Sequence, residues 1–232
     1  IVYHCAMETK AKYTKKRRRA AKKAVRTALA LLLAAIVALG GIFAARAIHE
    51  ARLRAEYVPL TADEIDIARL KGEAVETDPA RLSVARSALS LVGKVHYFWG
   101  GKSLVLGWDS RWGTTMQVTA PGSSSSGTYR PYGMDCSGYV DWVFYNATGG
   151  EYIIGHGGGA SAQHTYCTTI SWDEALPGDL VFYPEDSHVG IVGGRDESGN
   201  LLIIHCASGY NNVVITGIEG FTSIGRPVYF SD

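Results

Sequence analysis

With 232 residues the chain has room for one globular domain of about 130–150 residues plus accessory segments. The net charge of +1 averages over a split: residues 1–26 hold ten Lys/Arg and one acid, Glu8, while the remaining 13 Lys/Arg and 21 Asp/Glu leave residues 27–232 near −8. A basic patch at one end, followed directly by an apolar run, argues for membrane topology and against nucleic-acid binding; and none of Cys5, Cys136, Cys167 and Cys206 forms a CxxC pair, which excludes a zinc ribbon or thioredoxin-type motif.

Met7 opens the basic segment and is read as the initiator, in which case Cys5 is not translated. The basic tail, residues 1–26, carries Lys15-Lys16-Arg17-Arg18-Arg19 and Lys22-Lys23 ahead of the uncharged run Thr27 to Ala45, nineteen residues rich in Ala and Leu. That length fits the ~20 residues a helix needs to cross a bilayer. A transmembrane helix over 27–48 is therefore predicted, with the positive flank in the cytoplasm and the C-terminal domain outside. A cleaved signal segment is the alternative, since Ala45-Arg46-Ala47 has the small-x-small shape of a cleavage site. Either way the domain is exported, anchored or secreted.

Residues 49–78 read as a juxtamembrane linker in which Thr61-Ala62-Asp63-Glu64, spaced as a capping box, starts a short helix to about Lys71. Asp78 as cap and Pro79 in the first turn then open the domain, residues 79–232, with a helix whose apolar Leu82, Ala85, Leu89 and Val92 recur at helical spacing up to Gly93. Gly101 to Met134 is a long irregular stretch; its Trp108, Trp112, Tyr129 and Tyr132 favour an ordered flap over one side of the site, shaping substrate choice. Cys136 to Thr148 predicts a helix apolar almost all round, hence buried, ended by Gly149-Gly150. Strands follow at Asp179–Tyr183, Val189–Gly194, Leu201–Cys206, Val213–Gly217 and Pro227–Phe230. The fold class is α+β, a buried helix packed on an antiparallel sheet.

A cysteine nucleophile needs thiolate near neutral pH, which a helix N-terminus and a neighbouring imidazolium both favour. Cys136 stands at the first turn of the buried helix, and His188 opens a strand after the turn Pro184-Glu185-Asp186-Ser187. His205 shares a sheet face with His188 if its cross-strand partner is even-numbered, for example Gly190; it then fixes the tautomer of His188.

The motifs Tyr97-Phe98-Trp99-Gly100-Gly101, Asp135-Cys136-Ser137-Gly138-Tyr139-Val140, Pro177-Gly178-Asp179-Leu180-Val181-Phe182-Tyr183, His188-Val189-Gly190-Ile191-Val192 and Ile204-His205 stand in an order and spacing that resembles the NlpC family of cell-wall cysteine peptidases, over roughly residues 80–230. The resemblance implies a papain-like fold, with Cys136 as nucleophile, His188 as base and His205 as the orienting third residue. It also implies a role for Tyr97 at the oxyanion site, with Trp99 beside it, and contact of Asp135 and Ser137 with the substrate's free amine. The implied activity is hydrolysis of the γ-D-glutamyl–diamino-acid bond in peptidoglycan stems, with the stem peptide as partner. Tyr97 and Trp99 are open to a second reading as core aromatics. The gap between the first two motifs is longer than is usual in the family, and no SH3-type binding domain is visible.

Two other functions fit the same residues less closely: an amidase or acyltransferase on the same Cys–His fold, and a non-catalytic wall-binding module. No cofactor and no metal are expected. A metal site from Cys136, His188, His205 and Cys206 is discounted, because the adjacent strand residues His205 and Cys206 point to opposite faces. Cys167 and Cys206, an exported pair for which a disulfide is the alternative, are expected as free, partly buried thiols.

Overall fold

The computed structural model describes residues 22–45, 48 and 78–230. The capping-box helix expected after Thr61, and Cys5, lie outside the described residues. The chain divides into two units, residues 1–52 and 53–232. In the first, helix α1 (Lys22–Ala45) is 24 residues long and contains an 18-residue window of mean hydropathy 2.6, apolar and long enough to cross a membrane; a membrane anchor and a signal segment both meet that description.

The first helix among the described residues of the second unit is α2 (Pro79–Ser90), started as its sequence dictates: the Asp78 carboxylate accepts from the Ala80 N–H at 2.8 Å and Pro79 occupies the first turn. The helix stops at Ser90 with Leu91 as its cap, short of Gly93. Its inward face also differs from the apolar stripe: Leu82 is half-buried, and Arg81 is buried beside Val84, Ala85, Ala88 and Leu89. Arg81 can be buried because its charge is met. Its guanidinium donates to the Pro177 carbonyl (2.8 Å) and to Asp179 Oδ1 (3.0 Å) and lies over the Phe230 ring at 4.1 Å. The wholly buried Asp179 is also held by Arg226 on its other oxygen at 3.0 Å.

A small hairpin, β1 (Thr115–Gln117) with β2 (Tyr129–Pro131), precedes the buried helix α3 (Cys136–Ala147) and the short α4 (Ala160–Thr165). The main sheet is six-stranded and antiparallel, in the order β3 (Cys167–Thr169), β8 (Ser223–Pro227), β4 (Leu180–Phe182), β5 (Val189–Arg195), β6 (Leu201–Ala207), β7 (Asn212–Thr216). Helix α3 packs on α2 and on β5 and β6. Tyr139, Val140, Val143 and Phe144 of α3 bury themselves with Leu180, Phe182, Ile191 and Ile204 of the sheet; each such side chain contributes about 1.5–3 kcal/mol on leaving water. The alternate strand residues Val181, Val192 and Ile203 form a second cluster with Phe221 and Ile224. Both faces of the central strands are thus dry, which is why β4 to β6 read as unbroken apolar runs.

The predicted strand Pro227–Phe230 is displaced. The strand is Ser223–Pro227, and Val228–Phe230 form a 3₁₀ turn whose Tyr229 and Phe230 pack on Phe144 at 5.7 and 6.0 Å. The insertion is ordered, as its aromatic content suggests, with Trp112 edge-on to Trp142 of α3 at 5.8 Å and Tyr132 donating to the Lys102 carbonyl at 2.7 Å; Trp108 and Tyr129 remain exposed. Cys167 and Cys206 are free thiols, donating to the carbonyls of Gln163 (3.4 Å) and Met134 (3.2 Å).

Main chain meets main chain around the start of α3. A side chain on Gly138 would run into the Gly101 carbonyl, one on Gly101 into the Gly133 carbonyl, and one on Gly133 into the His96 carbonyl.

Candidate active site

Cys136 is the first residue of α3, and the cap that starts the helix also frames the thiol. Asp135 Oδ1 accepts from the Gly138 N–H (2.6 Å) and the Ser137 hydroxyl (2.9 Å), while Oδ2 accepts from the Gly100 N–H (3.1 Å). The backbone N–H groups of Ser137 and Val189 favour a negative charge on the Cys136 sulfur; Val189 opens β5, and His188 is its chain neighbour.

The register of β5 on β6, with Ile191 opposite Ile204, carries one step on to Gly190 opposite His205, and a side chain on Gly190 would meet His205 Cβ at 3.3 Å. The even-numbered partner expected for His205 is therefore the one found. His188 Nε2 lies 2.7 Å from His205 Nδ1, and His205 Nε2 lies 3.0 Å from the Thr216 hydroxyl. That hydroxyl spends its proton on the Gly217 carbonyl at 3.0 Å, so it accepts from His205. His205 then carries its proton on Nε2 and offers Nδ1 as acceptor to the His188 Nε2–H. His188 Nδ1 is left bare, the tautomer a proton acceptor needs. Among the described residues no hydrogen bond joins His188 to the Cys136 thiol.

The cleft has two lobes that share Trp99 and Ser187. One, of about 590 Å³, is lined by Tyr97, His188 and His205; the other, of about 480 Å³, by Asp135, Cys136 and Ser137. The seven residues singled out from the sequence are thus divided between two adjoining lobes, with Trp99 common to both. Trp99 stands between the lobes with its indole N–H on the Pro121 carbonyl at 2.9 Å, so it is a cleft wall residue as well as a packing one.

The model of the NlpC/P60 family matches residues 94–221, more than half of the chain. The chain belongs to the NlpC/P60 family. Among solved structures, this NlpC/P60 chain is similar to the peptidoglycan hydrolase RipB of Mycobacterium tuberculosis, with 25% identity, TM-score 0.45, and cover of 67% of this chain and 69% of that one. It is also similar to the NlpC/P60 domain of the peptidoglycan hydrolase SagA (24%, TM-score 0.43, 65% and 99%) and to RipD of M. tuberculosis, described as a non-catalytic NlpC/P60 domain protein (17%, TM-score 0.46, 65% and 98%). The comparison with curated proteins gave no match.

Electrostatics revises one expectation about this NlpC/P60 site. Burial pushes the Cys136 thiol up to about 11, and the Asp135 carboxylate adds to the shift, against the lowering effect of the Val189 and Ser137 N–H groups and the Lys102 ammonium. Burial lowers His188 to about 4 and, with the charge of His188 adding, His205 to about 3. Desolvation outweighs the helix terminus, so at neutral pH thiol and imidazole are both uncharged. Iodoacetamide labelling of Cys136 in the ligand-free protein should keep rising with pH beyond 9, because the thiolate fraction grows only as pH approaches the raised value; a plateau below pH 8 would show a resting thiolate instead. The Tyr97 hydroxyl is likewise pushed up, by burial first and then by the charges of Cys136 and Asp135, and keeps its proton as a donor.

Three residues went unread in the sequence. Lys102, directly after the Gly-Gly of the first motif, spends its ammonium on Ser137 Oγ (2.9 Å), Asp141 Oδ2 (3.1 Å) and the Gly158 carbonyl (3.0 Å). The Ser137 hydroxyl assigned to a substrate amine by resemblance is thus already bridged by a protein cation. Thr216 shares a face with His205 through Val214, which pairs with it, and this follows from period two once the register is known. Arg130, on β2, belongs to no motif.

Proposed function

We propose that this chain is an exported cysteine peptidase of papain-like architecture that hydrolyses peptidoglycan stem peptides at the γ-D-glutamyl–diamino-acid bond. The observation that supports this most is the chain His188–His205–Thr216–Gly217, which leaves His188 Nδ1 bare one residue before Val189, whose backbone N–H favours a negative charge on the Cys136 sulfur. Substrate binding closes the remaining gap, as hydrogen bonds of this kind commonly tighten only in the Michaelis complex. His188 Nδ1 takes the thiol proton while Sγ attacks the carbonyl carbon. The Tyr97 hydroxyl donates to the oxyanion, and the N-terminus of α3 favours the negative charge. The imidazolium passes its proton to the departing amine, leaving a thioester; water, deprotonated by the same nitrogen, then releases the acid and the thiol. In the same reading the basic residues 1–26 stay in the cytoplasm, α1 anchors the chain, and residues 79–232 work outside.

The missing Cys136–His188 hydrogen bond favours a second reading, binding to the wall without hydrolysis, as RipD is described. Incubating the purified protein with defined muropeptides and weighing the products separates the readings. A new diamino-acid N-terminus is the expected product. Release of the intact stem from the sugar would mean an amidase, and unchanged muropeptides with retained binding would mean a wall-binding module.

A further inference from the structure

The larger lobe of the cleft contains one permanent charge among its lining residues, the guanidinium of Arg130. No Asp or Glu lines it, and its two histidines are neutral at pH 7 for the reason given above. Arg130 sits half-buried on β2, positioned by the pairing of Met116 with Arg130 in the hairpin. Among the described residues its hydrogen bonding is confined to Nε, which donates to the Thr128 hydroxyl at 3.3 Å, so both terminal nitrogens are unspent. Other arginines behave differently. Arg81, Arg111, Arg195 and Arg226 all spend terminal nitrogens on protein acceptors.

A guanidinium on the cleft wall with both terminal nitrogens unspent on protein is available to a ligand, and its planar fork fits a carboxylate through two parallel hydrogen bonds. The side of the cleft decides which carboxylate. His188 lines the same lobe and, in the mechanism above, hands its proton to the departing amine, so the amine-bearing half of the substrate lies there. We infer that Arg130 binds a free carboxylate carried by the side chain of the diamino acid that supplies the leaving amine, selecting diaminodicarboxylic stems over amidated or lysine stems. An ammonium alone at that place would face a like charge, and an amide would lose the charge-assisted pair. The inference rests on the proposed hydrolysis and names its specificity residue.

The test uses three peptides, L-alanyl-γ-D-glutamyl-X, with X a 2,6-diaminodicarboxylic acid, its side-chain amide, or lysine. The wild-type chain should favour the free carboxylate by about tenfold or more in kcat/KM, chiefly through KM, the worth of about one charge-assisted hydrogen bond. Arg130→Gln should bring the ratio close to one, and Arg130→Lys should restore part of it. An unchanged ratio in Arg130→Gln, or no preference in the wild type, overturns the inference. If the wild type turns over none of the three, the hydrolase reading fails separately and calorimetry decides this one. A Cys136→Ala chain should bind the carboxylate peptide more tightly than the amide, and Cys136→Ala/Arg130→Gln should bind both alike. Equal affinities in the single variant, or no binding at all, overturn it. Melting curves check folding, and Arg130→Lys carries the comparison if the glutamine variant melts early.

Discussion

A Cys136→Ala chain is expected to hydrolyse muropeptides no faster than background, a loss on the order of 10⁴-fold or more, since no other thiol among the described residues lines the cleft. His188→Ala should be nearly as damaging: with a thiol raised to about 11, attack at neutral pH depends on a base that takes the proton as the bond forms. Milder losses are expected further along the chain. His205→Ala should cost on the order of 10²-fold, because His188 then loses the acceptor that fixes its tautomer. Thr216→Val should cost about tenfold in kcat with KM kept, and Thr216→Ser should recover it, because the hydroxyl acts only through His205. The double variant Cys136→Ala/His188→Ala should be no worse than either single one, since residues acting as a unit do not add. Full activity in Cys136→Ala would end the proposal, and an unaltered Thr216→Val would break the tautomer argument.

The second large effect concerns stability. Asp179→Ala should cost about 3–5 kcal/mol, because it strands the buried Arg81 guanidinium as well as removing the partner of Arg226. For a domain of this size the melting temperature should fall on the order of 10 °C. Arg81→Met/Asp179→Leu should be much less harmful, since the buried guanidinium leaves with its partner and only the more exposed Arg226 loses its carboxylate. Denaturant titration of both variants checks this, and equal losses would show that the pair's geometry, rather than the stranded charge, sets the cost.

What could be read from the sequence was what local chemistry determines. Asp78-Pro79 announced a helix start because cap geometry involves residues only two or three apart. The strands β4 to β6 announced themselves because both their faces meet apolar neighbours, and β7 by its run Val213-Val214-Ile215. Strands β3 and β8 did not, since Thr168, Thr169, Gly225 and Arg226 carry no alternation and form strands through long-range pairing, with each other and, for β8, with β4. Within the site, the roles of Cys136, His188 and His205 could be proposed from motif order. The ionisation of Cys136 could not, because burial depends on what β5 and the insertion lay over the thiol, and a helix terminus in isolation predicts the opposite sign. Arg81, Lys102 and Arg130 were illegible for a related reason: whether a cation is spent or idle is decided by acceptors distant in sequence.

The three glycines at the start of α3 carry one further consequence. Where carbonyl oxygens rest directly on Cα atoms, position is set by hard repulsion, which rises far more steeply with distance than any attraction does. The place of Cys136 in the cleft is therefore a matter of fit, not of affinity. Warming, salt or denaturant below the unfolding transition should weaken the side-chain contacts around the helix long before they displace its first turn. A single added methyl at Gly133 or Gly138, by contrast, would move the nucleophile bodily while the rest of the fold stood.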